Sequence, residues 1–378
     1  MSGPTYYDLT DPEVVQKWEA ELFIEVAKRT ALMNKNSGLI GEDETCLIQR
    51  KKKVFETGGT QATITLSRQL KQKPTFGNQT LRNKEEGLAT STFKWQINQI
   101  RHAVAVNGRV TQKRVTWDVW KQSLRLLGEY WPQVMEAGAF LHLAGVGYDV
   151  STAAEWYHDG TNLGLTFSNT PRAPDTKHIY RVHEAASDDL TALDTSAILD
   201  TDTGSRLVAM AKMLPVPIRP AMIHGQELYV LFVHPYQVAH LKDNSRWLAR
   251  MRDTIKGGAI EGNPLFSGAL GIDDGVLWVE SPYIPPGIDG SNARVANARR
   301  GVFCGAQSMV IGLAKEYDDE STFTNEVESW DYANNKGVAA TILAGFGCPY
   351  YSIAEQGTTE DYGKIVVTSY AKELVTSA

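Results

Sequence analysis

Apolar residues recur at helical spacing almost from the start of the chain. In Asp11–Met33, Val14 or Val15, Trp18, Leu22 and Val26 fall on one stripe, behind Asp11 as N-cap and Pro12 at the first helical position. This predicts a short amphipathic helix, set off by the polar "NKNSG", whose stripe must dock on its own domain or on a neighbouring subunit. From Ala62 the period falls to two. Ala62, Ile64 and Leu66 alternate with Thr63, Thr65 and Ser67, the mark of a half-buried strand. A second strand, "TFKWQINQIRHAVAV", carries Phe93, Trp95 and Ile97 on one face and then switches parity to Ile100, Val104 and Val106. A one-residue slip of that kind predicts a bulge or bend that re-aims half of the strand.

Between these strands, "LSRQLKQKPTFGNQTLRNKEEGL" holds a stretch of about 18 residues without apolar periodicity, where hairpin loops usually have about 2–5. The pattern predicts a two-stranded finger whose arms reach about 33 Å for ten residues. The strongest helical signal follows in Thr116–Ala144, where Trp117, Trp120, Leu124, Leu127, Trp131 and Met135 recur at steps of three and four. That helix would span about 40 Å. Pro132 predicts a kink in it, and Gly145 and Gly147 its end.

Tyr148–Lys177 reads as loops with short strands, and helical stretches are expected around Ser196–Met213. "LYVLFV" predicts a buried strand, Leu228–Val233, followed by a turn at His234-Pro235 and a helix carrying Val238 and Leu241. "GVLWVES", "GVFCGAQSMVIGLA" and "GKIVVTSYA" add further strands. The fold class is α+β, with no internal repeat.

Composition bounds the function. At 378 residues and 42% hydrophobic content the chain can bury one large core or two modest ones. Its net charge, 38 − 44 = −6, lacks the basic domain of a dedicated nucleic-acid binder. The finger departs from that balance: from Arg68 to Leu88 five basic residues stand against two acidic ones. Four basic residues in a row, Arg50–Lys53, read as a solvated edge, with a phosphate or intersubunit contact as the sharper alternatives. Cys46, Cys304 and Cys348 form no CxxC pair and fit a reduced chain with small core thiols. Neither a secretory signal nor an apolar run long enough to span a bilayer is visible.

Candidate chemistry is sparse. The chain has no GxxxxGK[ST] loop, GxSxG elbow or HExxH. The Gly145/Gly147 and Gly345/Gly347 pairs lack a third glycine and read as turns. His234 and His240 are six apart, off a common helix face. Acidic pairs at Asp273–Asp274 and within Glu316–Glu320 read as solvated loops, not a general acid/base pair or calcium site. No catalytic, cofactor or metal site is expected.

"TLSRQLKQKPTFGNQTLRNKEEGL" and "INQIRHAVAVNGRVTQKR" resemble the major capsid proteins of tailed phages in the N-four-like family, and the hairpin is among the most specific motifs. "IRPAMIHGQELYVLFVHPYQVAHLKDN", "NPLFSGALGIDDGVLWVES" and "DYGKIVVTSYA" continue the resemblance in the family's order. It implies a Hong Kong 97-type fold with an N-terminal arm (1–45), an extended E-loop (46–106) and a peripheral domain with a spine helix (107–189). An axial domain (190–344) and C-terminal strands returning to the peripheral domain (345–378) would complete it. The implied function is self-assembly into hexamers and pentamers that form an icosahedral head around double-stranded DNA, in the virion after a stay in host cytoplasm. An encapsulin-like nanocompartment shell is the related alternative, and an enzyme whose site is assembled in three dimensions the unrelated one. The expected partners are further copies, a separate scaffolding protein (the long N-terminal scaffolding extension of some relatives being absent), a portal and a decoration protein. Packaged DNA would lie nearby without specific recognition. No cofactor and no membrane is expected. The expected interface residues are Lys71, Lys73, Phe76 and Arg82 on the E-loop, and Trp18 and Leu22 on the arm. Covalent crosslinking is not carried over, since nothing marks a catalytic partner for the loop lysines.

Overall fold

The computed structural model describes residues 32, 39–51, 60–67, 70, 72–87, 90–106, 113–114, 118–146, 169–183, 187, 189–191, 193–247, 249, 269–290, 294–314, 323–332, 334–353 and 358–373. Apart from Leu32, which is buried in the core around Trp131 and Met135, the arm helix expected at Asp11–Met33 lies outside them, as does the acidic stretch Glu316–Glu320. In chain order the first strands are β1 (Ile40–Gly41), β2 (Ile48–Lys51), β3 (Gln61–Ser67), β4 (Thr90–Gln96) and β5 (Asn98–Val106). Next come β6 (Ile179–Arg181), β7 (Ala221–Ile223), β8 (Gln226–Val233), β9 (Ala269–Asp273) and β10 (Val276–Glu280). They are followed by β11 (Pro286–Ile288), β12 (Arg294–Cys304), β13 (Met309–Ala314) and β14 (Phe323–Trp330). The last are β15 (Asn335–Gly347), β16 (Tyr350–Ile353), β17 (Thr358–Asp361) and β18 (Lys364–Tyr370). The principal helices are α1 (Val119–Ala144), α2 (Thr203–Met213) and α3 (Pro235–Lys242).

Two large sheets share α1. The eight-stranded sheet runs β6-β18-β12-β8-β10-β9, with β11 beside β12 and β7 beside β8. Its central strands are buried on both faces, which is why "LYVLFV" is a continuous apolar run and not an alternation. Val230, Phe232, Val302 and Cys304 face α1, where they meet Trp131, Met135 and Phe140. Tyr229, Leu231, Val233 and Phe303 face the other way, against Leu207 of α2 and Val238 and Leu241 of α3. The six-stranded sheet runs β1-β2-β13-β15-β14, with β5 on the other edge of β15. Its Ile311, Val338, Ala340 and Ile342 join the same core as α1. Fully burying one such side chain contributes about 1.5–3 kcal/mol.

Several local expectations hold. The helix expected after the His234-Pro235 turn is present as α3, and the structure adds that His234 caps it in a reciprocal capping box with Gln237. Pro132 lies inside α1, which ends as expected at Gly145, whose φ is 64°. There Val146 N donates to Leu141 O at 3.1 Å. Cys304 is fully buried, and burial pushes its thiol up to about 12.

Others need correction. The helix expected around Ser196–Met213 begins only at Thr203. The boundary expected at 344/345 falls inside β15, whose pairing with β13, from Leu343 to Gly347, runs across it. β18 pairs with β12 and β6, so β6, before residue 190, shares a sheet with β12, after it. Within 46–106, β2 and β5 are strands of the six-stranded sheet, and only β3 and β4 form a separate two-stranded hairpin.

Candidate functional site

The hairpin pairs Gln61 with Gln96 at its root and Ser67 with Thr90 at its far end. Beyond that the described loop residues 70 and 72–87 form no strand. Gln72 N donates to Glu86 Oε2 across the loop at 2.7 Å, and Lys84 N donates to Leu81 O at 3.0 Å. At the tip Gly77 takes φ 63°, which its missing Cβ permits. Leu70, Phe76 and Leu81 are 63%, 75% and 60% exposed, so none of them packs on this chain's core. Lys73 and Arg82 are exposed on the same loop. The expected interface residues Lys71, Trp18 and Leu22 lie outside the described residues.

The root is built differently from the tip. Ile97 alone separates β4 from β5, at the point where the parity slips. On one side of it the chain pairs with β3; on the other it pairs with β15, starting at Asn98 opposite Ala344. The slip is therefore a switch between sheets. Phe93, Trp95 and Ile97 point down onto Val310 and Ala314 of β13 in a small core of their own. Glycines make room for them. A Cβ on Gly312 would strike the Trp95 ring, one on Gly347 would lie 3.0 Å from the Phe93 ring, and one on Gly345 would strike Gln96 O. Gly345 and Gly347 are thus close-approach positions within a strand, not the turn expected from their spacing.

A polar clamp completes the root. Asn169 Oδ1 accepts from Gln96 N at 2.9 Å, while its Nδ2 donates to Gln96 O at 2.7 Å and Phe346 O at 2.9 Å. His142 of α1 sets its Nε2 2.9 Å from Asn169 O and its Nδ1 2.9 Å from Gly138 O. Below it, two buried cations close the C-terminal end of α1. Lys364 Nζ donates to His142 O (3.0 Å) and Leu143 O (3.1 Å), and Arg300 Nη1 to Ala144 O (2.9 Å). Both meet the negative end of the helix dipole. Sequence reasoning missed Asn169, His142 and Lys364, because each acts on residues far along the chain. Replacing Lys364 by Met should destabilise the unassembled chain by about 3 kcal/mol, since it takes the ammonium donor from the buried Leu143 carbonyl and one of the donors from His142 O. Urea unfolding measures this, and a change below about 0.5 kcal/mol would show that the cap carries no weight.

A second exposed surface lies on the strands beside the root. By register Glu326 and Glu328 of β14 share a face with Ala339 and Gly337 of β15 and with Ala103 and Ala105 of β5. Glu326 and Glu328 are exposed, and among the described residues neither has an ion-pair partner. Trp330 lies over Gly337 on the same face and is 39% exposed.

Among the described residues no cluster of His, Cys, Asp and Glu is arranged to hold a metal ion. A family model described as phage capsid protein matches residues 7–373. The chain is 27% identical over 366 residues to the major capsid protein of Pseudomonas phage KPP25, covering 90% of this chain and 91% of that protein. Among solved structures, the capsid of Ralstonia phage GP4 matches with a TM-score of 0.72 at 25% identity, over 99% of this chain and 100% of that one. The capsid of cyanophage Pam1 matches with a TM-score of 0.65 at 16% identity, over 88% and 91%, a likeness of fold.

Proposed function

The chain belongs to the phage capsid protein family, and on that premise we propose that it is a major capsid protein whose copies close into the icosahedral head of a tailed phage around double-stranded DNA. Its fold is the Hong Kong 97 type, and its role is structural. The observation that carries this reading is the hairpin loop, which exposes Leu70, Phe76 and Leu81 beyond any core of its own chain. A second copy supplies the missing cover. In this reading Phe76 docks on the neighbour, with Lys71, Lys73 and Arg82 set against its carboxylates. Trp18 and Leu22 of the arm dock likewise. Hexamers and pentamers, a separate scaffolding protein, a portal and a decoration protein belong to the same proposal, as does a stay in host cytoplasm before assembly.

The exposed Glu326 and Glu328 are the carboxylates best suited to receive the basic loop, with Trp330 and the Ala/Gly floor beside them to receive Phe76. Reversing Lys73 and Arg82 to Glu should lower shell yield about tenfold or more, as should reversing Glu326 and Glu328 to Lys. Combining the two sets should restore assembly in part. Failure of the combination to recover any shells would place the acceptor elsewhere on the neighbour.

The function itself is tested on purified chain, with and without scaffold, by light scattering and electron microscopy. Closed particles with DNase-protected DNA from infected cells are expected. A chain that stays a monomer under all these conditions would overturn the reading, and particles filled with a protein cargo would point to a nanocompartment.

A further inference from the structure

We propose that His142 and Asn169 form a proton-sensitive latch that fixes the angle of the projecting hairpin on the six-stranded sheet, and that acid releases it. The biological use of the latch rests on the assembly reading above, but its operation does not. Asn169 is the positioning residue. Its side chain bonds the amide and the carbonyl of Gln96, the last residue of β4, and ties both to Phe346 O of β15. These bonds sit where the chain crosses from the hairpin sheet to the six-stranded sheet, so they set the direction in which the hairpin leaves.

Asn169 is in turn held by His142, and the hold depends on a proton. Both ring nitrogens of His142 face carbonyl oxygens, Gly138 O and Asn169 O, each at 2.9 Å. Carbonyls only accept, and a neutral imidazole has one N–H. One of the two carbonyls therefore faces a ring lone pair. A second proton would satisfy both, but the site is built against the charge. The ring is 3% exposed. Lys364 reaches from β18 to within 3.0 Å of the same residue's carbonyl, and Arg300 reaches from β12 to the Ala144 carbonyl. Cys348, just after β15, donates its thiol to His142 O at 3.2 Å, and burial keeps that thiol protonated. The Phe346 ring lies 5.6 Å from the imidazole.

Burial holds the His142 pKa below the usual histidine value, Lys364 adds to this, and the bonds to Gly138 and Asn169 oppose it. A group whose pKa is depressed in the latched state stabilises that state fully above its ordinary value of about 6.5. The stabilisation is lost as pH falls toward the depressed value, by up to about tenfold in the latched-to-open ratio per pH unit. Acid thus favours any arrangement in which the ring meets water, and the arrangement closest at hand frees Asn169 from the root.

Hydrogen exchange on the unassembled full chain tests this, with rates corrected for the chemical effect of pH. Between about pH 7.5 and about pH 5, amides in 90–98 should lose protection about tenfold or more, while those in 298–304 of the central sheet hold theirs. His142→Gln should flatten the pH profile at the root. Asn169→Ala should lower root protection at both pH values. The latch is overturned if root protection in the wild type does not depend on pH, if His142→Gln follows the wild-type profile, or if Asn169→Ala keeps wild-type protection at neutral pH. Should His142→Gln fail to fold, the wild-type profile and Asn169→Ala still decide. Shell formation plays no part in the readout, so failure here leaves the assembly reading standing, and failure of assembly leaves the latch standing.

Discussion

A chain lacking Lys73–Arg82 is expected to melt at the wild-type temperature and to form no shells. Within that stretch the loop's own bonds are local, such as Lys84 Nζ to Gln79 Oε1 at 3.3 Å and Lys84 N to Leu81 O. The cross-loop bond from Gln72 N to Glu86 lies outside the deletion and keeps the two arms together for the shorter connection. Shortening an exposed loop costs little in chain entropy. The loss falls on assembly. Phe76 and Leu81 leave with the deletion, and covering two such side chains on a neighbour is worth about 3–6 kcal/mol before ordering costs. On the proposed docking each copy both gives a loop and receives one, so each would lose two contacts, and closed symmetry would multiply that loss over the whole shell. Differential scanning calorimetry and electron microscopy give the two readings. Normal shells from the shortened chain would remove the loop from the assembly interface. A chain that no longer folds would show that the loop serves its own core.

Much of this could be read from pattern, for physical reasons that also mark where pattern stops. "LYVLFV" announced a strand buried on both faces because no polar residue interrupts it, and both faces do carry core. The parity slip after Ile97 announced a bulge or a bend, because side-chain parity cannot slip along a regularly paired strand, and the structure shows it to be a switch between sheets. The turn at His234-Pro235 and the helix after it were local and therefore visible. The root was not visible, because its parts are distant in sequence. Asn169 is 73 residues from Gln96 and 177 from Phe346. Lys364 sits in a strand that reads as ordinary, yet its ammonium caps a helix 222 residues earlier. Gly345 and Gly347 did carry a local signal: they interrupt the apolar run "TILAGFG" without the polar residues a turn would bring. A glycine in a strand that lacks turn neighbours marks a place where another piece of chain comes close, and here that piece is the hairpin root.

That close approach sets the other large expected effect. Gly345→Ala should destabilise the unassembled chain by about 3 kcal/mol or more and abolish shell formation. A Cβ at Gly345 would strike Gln96 O and lie 3.0 Å from Ile97 Cα and 3.1 Å from Gln96 C. All three are backbone atoms, so no rotamer change relieves the clash. Gln96 is also the residue Asn169 clamps, so displacing it breaks the clamp as well as the packing. Trp95, 1% exposed, cannot ride up with the root without losing its seat on Gly312. Gly87→Ala is the control. Nothing lies within 4 Å of its Cβ, and its effect should stay within about 0.5 kcal/mol. Thermal unfolding of both variants, with electron microscopy of their assembly products, separates the outcomes. A Gly345→Ala chain with wild-type stability and normal shells would mean that the hairpin does not rest on β15 in solution. A destabilised chain whose shells still form would mean that the angle of the hairpin is set by its neighbour and not by its root.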